Sequence, residues 1–414
     1  MNMSVPKSVG ADILPRLDTL ATVSETSDGL TRRYLTDQHR EANDLVSDWM
    51  RDAGMSVRQD GVGNIVGRYE GAEAGAPALL IGSHLDTVVM AGKYDGMLGV
   101  VTAIQCVHDL NRRGVRLPFA VEVVGFADEE GVRFQSTYLG SRAIAGTFRE
   151  ELLDVRDADG ISMAEAMRAF GLDPSQITAA ARRPSEFVGY LELHIEQGPV
   201  LESEDQAVGV VTAIAGATRR TVSVTGVAGH AGTVPMGHRQ DALLAAAECA
   251  LAVEDVASKR TNVVATVGRM TVGPGAANVV PGQVMFTIDL RADEDAKRQE
   301  ALSELDTWMA EIARRRGVEL DVRTVHEASS VACAPWIVRQ IEAAVAAETG
   351  RVIRLPSGAG HDAAAMADLT DVGMIFVRCG GGVSHNPDET ITEADAAAGA
   401  NLLLRVIENF QTES

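Results

Sequence analysis

Two short segments hold residues whose types and spacing could do chemistry. GSHLDTV at 82–88 sets His84 and Asp86 two residues apart, so at the end of an extended strand both side chains point the same way. GFADEEG at 125–131 follows the apolar run FAVEVVGF and places Glu129 and Glu130 side by side, where neighbouring side chains diverge. One carboxylate can then hold a metal ion while the other faces a water that the ion activates. Hydrolysis at a metal centre needs that division of labour.

Nine histidines fall into distinct settings. His39, His108, His238 and His326 lie in helical or strand stretches without acidic or glycine-rich company, where surface or packing roles suffice. His84, His194 and His385 each sit in a glycine-flanked turn at a strand end, in GSHLD, ELHIEQG and GGGVSHNPDE. Together with Asp95 in GKYDGMLG and the Glu129/Glu130 pair, they point to a metal site.

Something must carry these residues. ALLIGSHLD (78–86), FAVEVVGFADEE (119–130), YLELHIEQG (190–198) and GMIFVRCGG (373–381) read as near-continuously apolar strands, each followed at once by polar residues. Such strands suit a sheet covered by helices on both faces, with sites at the carboxyl ends of its strands. MLGVVTAIQCVHDLNRRG (97–114) has apolar residues at three- and four-residue spacing and a stop at Gly114, and predicts one of those helices. From about 213 to 328 the pattern changes to strand (RRTVSVTGVAG), helix, strand (NVVATVGRMTVG), strand (GQVMFTIDLRA), helix, strand (VELDVRTVHE). This βαββαβ order is ferredoxin-like. Because His361 and His385 resume after it, it reads as a second domain inserted into the first, giving residues 1–212, 213–328 and 329–414. A chain of 414 residues is in any case too long for one ordinary core.

Composition narrows the class. Hydrophobic residues make up 46% and charged residues 23% of the chain, and 58 acids against 37 bases give a formal charge of −21. Such a charge opposes binding to nucleic acid or anionic lipid, and no basic run is long enough to offset it. No apolar run is long enough for a bilayer, and MNMSVPKSVGADILPRL lacks the apolar core and basic head of a secretory signal. Cys106, Cys249, Cys333 and Cys379 lie far apart with no CxxC pair, which suits reduced thiols in a cytoplasmic protein.

The set GSHLDTV, GKYDGMLGV, DEEGVRF, LELHIEQGPVLE, GHAGTVPM, SGAGHDAA and GGGVSHNPDE, in that order along nearly the whole chain, resembles the hydantoinase/carbamoylase branch of the dinuclear-zinc amidohydrolases and exopeptidases. The resemblance implies a zinc-exopeptidase-like α/β catalytic domain with the ferredoxin-like insertion as a dimerisation domain. It implies two divalent metal ions per subunit, zinc first, with manganese or cobalt equally suited to such ligands. His84, Asp95 and His194 would hold one ion and Asp95, Glu130 and His385 the other, with Asp95 bridging. Three protein ligands per ion leave a position open, as catalysis requires. Glu129 would be the general base, and Asp86 would accept a hydrogen bond from His84 and fix its tautomer.

By the same resemblance His230, in GVAGHAGTVPM, reaches across a homodimer interface to stabilise the oxyanion. Gln197, Asn278 and Arg291 contact the substrate, with Arg291 clamping its carboxylate, and Gly360 and His361 close the same pocket. One departure is Val234, where a threonine is expected. The implied reaction is hydrolysis of a ureido or carbamoyl C–N bond in a small carboxylate. DEEGVRF with the Gly-Ser-Arg turn after it, and the final SHNPDE, favour allantoate, giving ureidoglycine, ammonia and carbon dioxide in purine catabolism. N-carbamoyl-L-amino acids and 3-ureidopropionate are the alternatives. From another class, a non-catalytic metal-binding dimer is opposed by the intact Glu129.

Overall fold

A computed structural model describes residues 9–412. The first eight residues, and with them part of the segment bearing on a secretory signal, lie outside the described residues. The described chain divides into two compact units: residues 9–212, 333–355 and 360–412 in the first, and 213–332 with 356–359 in the second.

Six strands open the chain, β1 (Ser56–Gln59), β2 (Ile65–Tyr69), β3 (Ala78–His84), β4 (Ala120–Phe126), β5 (Phe187–Ile195) and β6 (Val208–Ile214). The second unit contributes β7 (Gly216–Thr225), β8 (Gly229–His230), β9 (Val263–Thr266), β10 (Met270–Gly273), β11 (Val279–Val280), β12 (Gln283–Ala292), β13 (Glu319–Ala328) and β14 (Val331–Ala332). β15 (Arg354–Ser357) and β16 (Val372–Val377) complete the set.

In the first unit the sheet runs β1-β2-β4-β3-β5-β16-β6. Its centre is parallel, β4 on β3, β3 on β5 and β5 on β16, while β2 and β6 run antiparallel at the flanks. Every residue of β3, β4 and β16 is buried, as their apolar sequences require of strands covered on both faces. The helix Met97–Arg112 buries thirteen of its sixteen residues in this core, and the chain leaves it through Gly114 at φ 67°. Glu122 is the polar exception in β4, and its buried carboxylate is matched by Arg68 at 2.9 Å and Arg182 at 3.0 Å.

The second unit has strand order β10-β12-β7-β13, all antiparallel, with the helices Ala242–Ser258 and Asp295–Arg316 and a core of its own. This is the ferredoxin-like arrangement. One element differs from expectation: NVVATVGRMTVG forms two strands, not one. The register on β12 slips by one residue between Thr266↔Asp289 and Met270↔Phe286, and Val267-Gly268-Arg269 absorbs the slip as a bulge. All four cysteines are buried and free. Among the described residues, no helix is long and apolar enough to cross a membrane.

Candidate metal centre

The site lies in the first unit, where β3, β4 and β5 end. β3 delivers His84 in its last position, and the turn after it brings the Asp86 carbonyl to 2.9 Å from His84 Nδ1. β5 delivers His194, whose Nδ1 lies 2.9 Å from the carbonyl oxygen of Ile195. Only an N–H can satisfy a carbonyl oxygen, so both rings carry the proton on Nδ1 and turn Nε2 toward Asp95. His194 Nε2 is 3.1 Å and His84 Nε2 3.8 Å from Asp95 Oδ1.

Asp95 faces two ways. Its other oxygen, Oδ2, lies 3.1 Å from His385 Nε2, which in turn is 3.3 Å from Glu130 Oε1. The ligand atoms of His84, Asp95 and His194 all lie within 4.8 Å of one another, and so do those of Asp95, Glu130 and His385. The carboxylate is thus common to two three-residue clusters. Gly96 permits this approach: it sits at φ 73°, and a Cβ there would stand 2.5 Å from the His84 ring. His385 is itself left-handed at φ 55° and half exposed, on the open side of the site.

The field here is strongly negative. Burial works against the charged form of His84, yet Asp95, Asp86 and Glu129 outweigh it and raise the imidazole well above its usual range. Burial likewise opposes the Asp95 carboxylate, and hydrogen bonds from His194, His385 and His84 bring it well below the usual carboxylate range. A field that retains protons on these rings also attracts divalent cations, and the nitrogen and oxygen donors suit them. The residues present therefore fit a pair of such ions.

Glu129 is buried beside Glu130, and burial, then that neighbouring carboxylate, raise it well above the usual range. Its side-chain oxygen joins those of Glu130 and the His84 ring within 4.8 Å. Asp86 differs from expectation. Its carboxylate is 3.6 Å from His84 Nδ1 and accepts instead from the backbone N–H groups of Glu129 (2.9 Å) and Glu130 (3.2 Å). The main-chain carbonyl of Asp86 orients the imidazole, and its side chain caps the end of β4.

Gln197 also departs from a pure substrate contact. Held at φ 57°, it donates from Nε2 to Asp95 Oδ1 (3.1 Å) and Ser384 Oγ (3.0 Å), while its Oε1 is buried without a partner. His361 is buried with its ring edge-on to His194 at 4.5 Å, and burial, then His194, hold it well below the usual imidazole range. Gly360 makes room for Tyr138, whose hydroxyl would lie 1.9 Å from a Cβ at that position.

The other expected residues belong to the second unit. His230 in β8 pairs with Val279 in β11; its Nδ1 accepts from the Gly232 N–H at 3.0 Å, and the Asn278 carbonyl accepts from Ala231 at 2.9 Å. Arg291 in β12 closes its fork on Asp289 (2.9 and 3.1 Å) and donates to the Gly358 carbonyl (2.7 Å). It lines a cavity of about 620 Å3 with Arg219, whose Nε is 2.9 Å from the same Asp289. Val234 contributes its carbonyl to Arg239 at 3.0 Å, a contact indifferent to the side chain.

Buried acids beyond those expected support the site, Glu389 and Glu192 among them. Glu389 takes the N–H groups of Tyr94 (2.8 Å) and Asp95 (3.2 Å) and the Ser384 hydroxyl (3.0 Å), and burial, then Asp95, raise it to about 7. Glu192 accepts from Ser83, Tyr190 and the Ala363 N–H. The signal for Glu192 was its place two residues before His194 in a buried strand. For Glu389 it is the acid that closes the SHNPDE motif four residues after His385.

The chain belongs to peptidase family M20/M25/M40, whose model matches residues 80–409, and within it to the hydantoinase/carbamoylase amidases. It is 42% identical to an N-carbamoyl-L-amino acid amidohydrolase of Geobacillus stearothermophilus, over 96% of this chain and 98% of that one. It is 41% identical to an allantoate deiminase of Arabidopsis thaliana, over 96% of this chain and 82% of that one. A solved hydantoinase/carbamoylase-family amidase of Burkholderia multivorans superposes with a TM-score of 0.91 at 34% identity, covering 97% of each chain.

Proposed function

We propose that this chain hydrolyses the terminal C–N bond of a ureido or carbamoyl group in a small carboxylate, with allantoate as its substrate. The observation that carries this reading is the sharing of Asp95 between two clusters of metal-ligating atoms, with the Glu129 carboxylate alongside. His84, Asp95 and His194 would hold one divalent ion, and Asp95, Glu130 and His385 the second, zinc being the first choice. When bound, the ions supply a lowered pKa for water and polarisation of the substrate carbonyl.

The chain's own residues do the rest. Glu129 takes a proton from water as its oxygen bonds to the carbonyl carbon, then delivers that proton to the nitrogen as the C–N bond breaks and ammonia leaves. Asp86 holds Glu129 and Glu130 in place through their N–H groups. Gln197 offers its unpartnered Oε1 to a substrate N–H, and Gly360 and His361 close the pocket. Arg291 offers its guanidinium to the substrate carboxylate, and Asn278 contacts the substrate. His230 stabilises the oxyanion, acting from the partner in a homodimer. The four free thiols support a reducing, cytoplasmic setting.

Allantoate is favoured by the resemblance of SHNPDE to the same segment of allantoate amidohydrolases; in it, Asp388 N–H bonds Asn386 Oδ1 at 2.9 Å and Glu389 reaches the Asp95 N–H. A second reading, N-carbamoyl-L-amino acid hydrolysis with the same residues, is favoured by the 42% identity to the Geobacillus relative. Purified protein loaded with zinc or manganese, given allantoate and N-carbamoyl-L-methionine in parallel, decides by ammonia release. Faster turnover of allantoate supports the first reading; faster turnover of the carbamoyl amino acid replaces it with the second.

A further inference from the structure

The loop that carries the base ends in an unusual residue. Tyr138 has a left-handed backbone at φ 62°, which aromatic residues rarely adopt, and its N–H returns to the Glu129 carbonyl at 3.0 Å. The Arg142 guanidinium stands 5.7 Å from the ring centroid. A Cβ on Gly360 would meet the Tyr138 hydroxyl at 1.9 Å and Glu129 Oε1 at 3.6 Å, so both oxygens border one small space that glycine leaves open. Among the described residues, neither the Tyr138 hydroxyl nor the Glu129 carboxylate has a hydrogen-bond partner. A hydroxyl held in a costly backbone conformation beside the base, with nothing internal to bond, is placed for a ligand.

We propose that Tyr138 is a specificity-determining substrate contact whose hydroxyl oxygen accepts a hydrogen bond from the terminal –NH2 of the ureido or carbamoyl group. It rests on the function proposed above. A phenol both donates and accepts. Its O–H can turn toward the Glu129 carboxylate while its lone pair meets the nitrogen that is to leave. The contact selects –NH2 over a methyl group, which has no proton to give, and so separates ureido substrates from acyl analogues of the same shape.

Tyr138→Phe keeps the ring and removes only the hydroxyl. With the metal-loaded full chain, kcat/KM is measured for allantoate and N-carbamoyl-L-methionine, together with the Ki of N-acetyl-L-methionine, in which a methyl replaces the –NH2. The expected result is a loss of about tenfold in kcat/KM on the preferred ureido substrate, with the N-acetyl Ki, metal content and Tm unchanged. Gly360→Ala, which displaces the hydroxyl, gives a loss in the same direction. A Tyr138→Phe enzyme within twofold of wild type on the ureido substrate, or one whose N-acetyl Ki weakens equally, overturns the proposal alone. A wild-type enzyme inactive on both ureido substrates overturns the function reading, and this inference with it.

Discussion

The carboxylate of Asp86 accepts the backbone N–H of Glu129 at 2.9 Å, tying the end of β3 to the residue proposed as base at the end of β4. The second oxygen takes the N–H of Glu130. Asp86→Asn replaces one acceptor by a donor and leaves a buried N–H facing another N–H. We expect a loss of roughly 1–3 kcal/mol in stability and a fall in kcat, since Glu129 is no longer held. Urea unfolding and steady-state ammonia release on the metal-loaded variant check both.

Glu129 has no structural bond from its side chain, so its loss acts on chemistry. Glu129→Gln is expected to lower kcat by about 10²–10⁴-fold with two ions still bound per chain. Metal analysis beside the rate assay separates this from a folding defect; full activity in the variant removes Glu129 from its role.

The role proposed for His230 is separable from metal binding. His230→Ala is expected to reduce kcat by about a hundredfold, the effect of losing one oxyanion donor, at unchanged metal content. Mixing it with Glu129→Gln restores part of the activity if the histidine serves the partner's site. No recovery on mixing assigns it to its own chain.

Acid should weaken the fold through His39, which packs against Phe170 with ring centroids 4.9 Å apart and accepts the Leu35 N–H on Nδ1 at 3.0 Å. Burial, then Arg32 and Arg40, lower its pKa from 6.5 to about 3. Above 6.5 the ring is neutral in both states and adds no pH dependence. As pH falls from 6.5 toward 3, the unfolded chain binds a proton that the folded chain refuses, so stability drops, by about 2 kcal/mol at pH 5 from this group. Urea unfolding at pH 7.5 and pH 5 measures the drop, and His39→Gln should remove this share of it.

Much of the site was legible because its residues sit at strand ends in distinctive local words. His84, Asp95, Glu129, Glu130, His194 and His385 are drawn from five segments, yet each lies at the end of a buried strand, shortly after one, or in a glycine-flanked turn, where geometry follows from local sequence. The supporting contacts were not legible. Whether Asp86 turns its carboxylate to His84 or to the N–H groups of Glu129 depends on how β3 and β4 align, with His84 opposite Phe126. Glu389 reaches Asp95 from nearly three hundred residues away in sequence. The bulge at Gly268 does leave a trace in the sequence: the apolar alternation Val263, Ala265, Val267 resumes in the other phase at Met270 and Val272, and reading NVVATVGRMTVG as one strand passes over that change. Arg291 read as an open fork because nothing local shows that Asp289, two residues earlier on the same face, occupies it.

The central claim is that one carboxylate, Asp95, serves two cations. Anomalous diffraction at the metal edge, on crystals of the zinc- or manganese-loaded protein, tests it most directly. Two peaks flanking Asp95, one against His84 and His194 and one against Glu130 and His385, are the expected result. A single peak, or metal held elsewhere with Asp95 unligated, contradicts it.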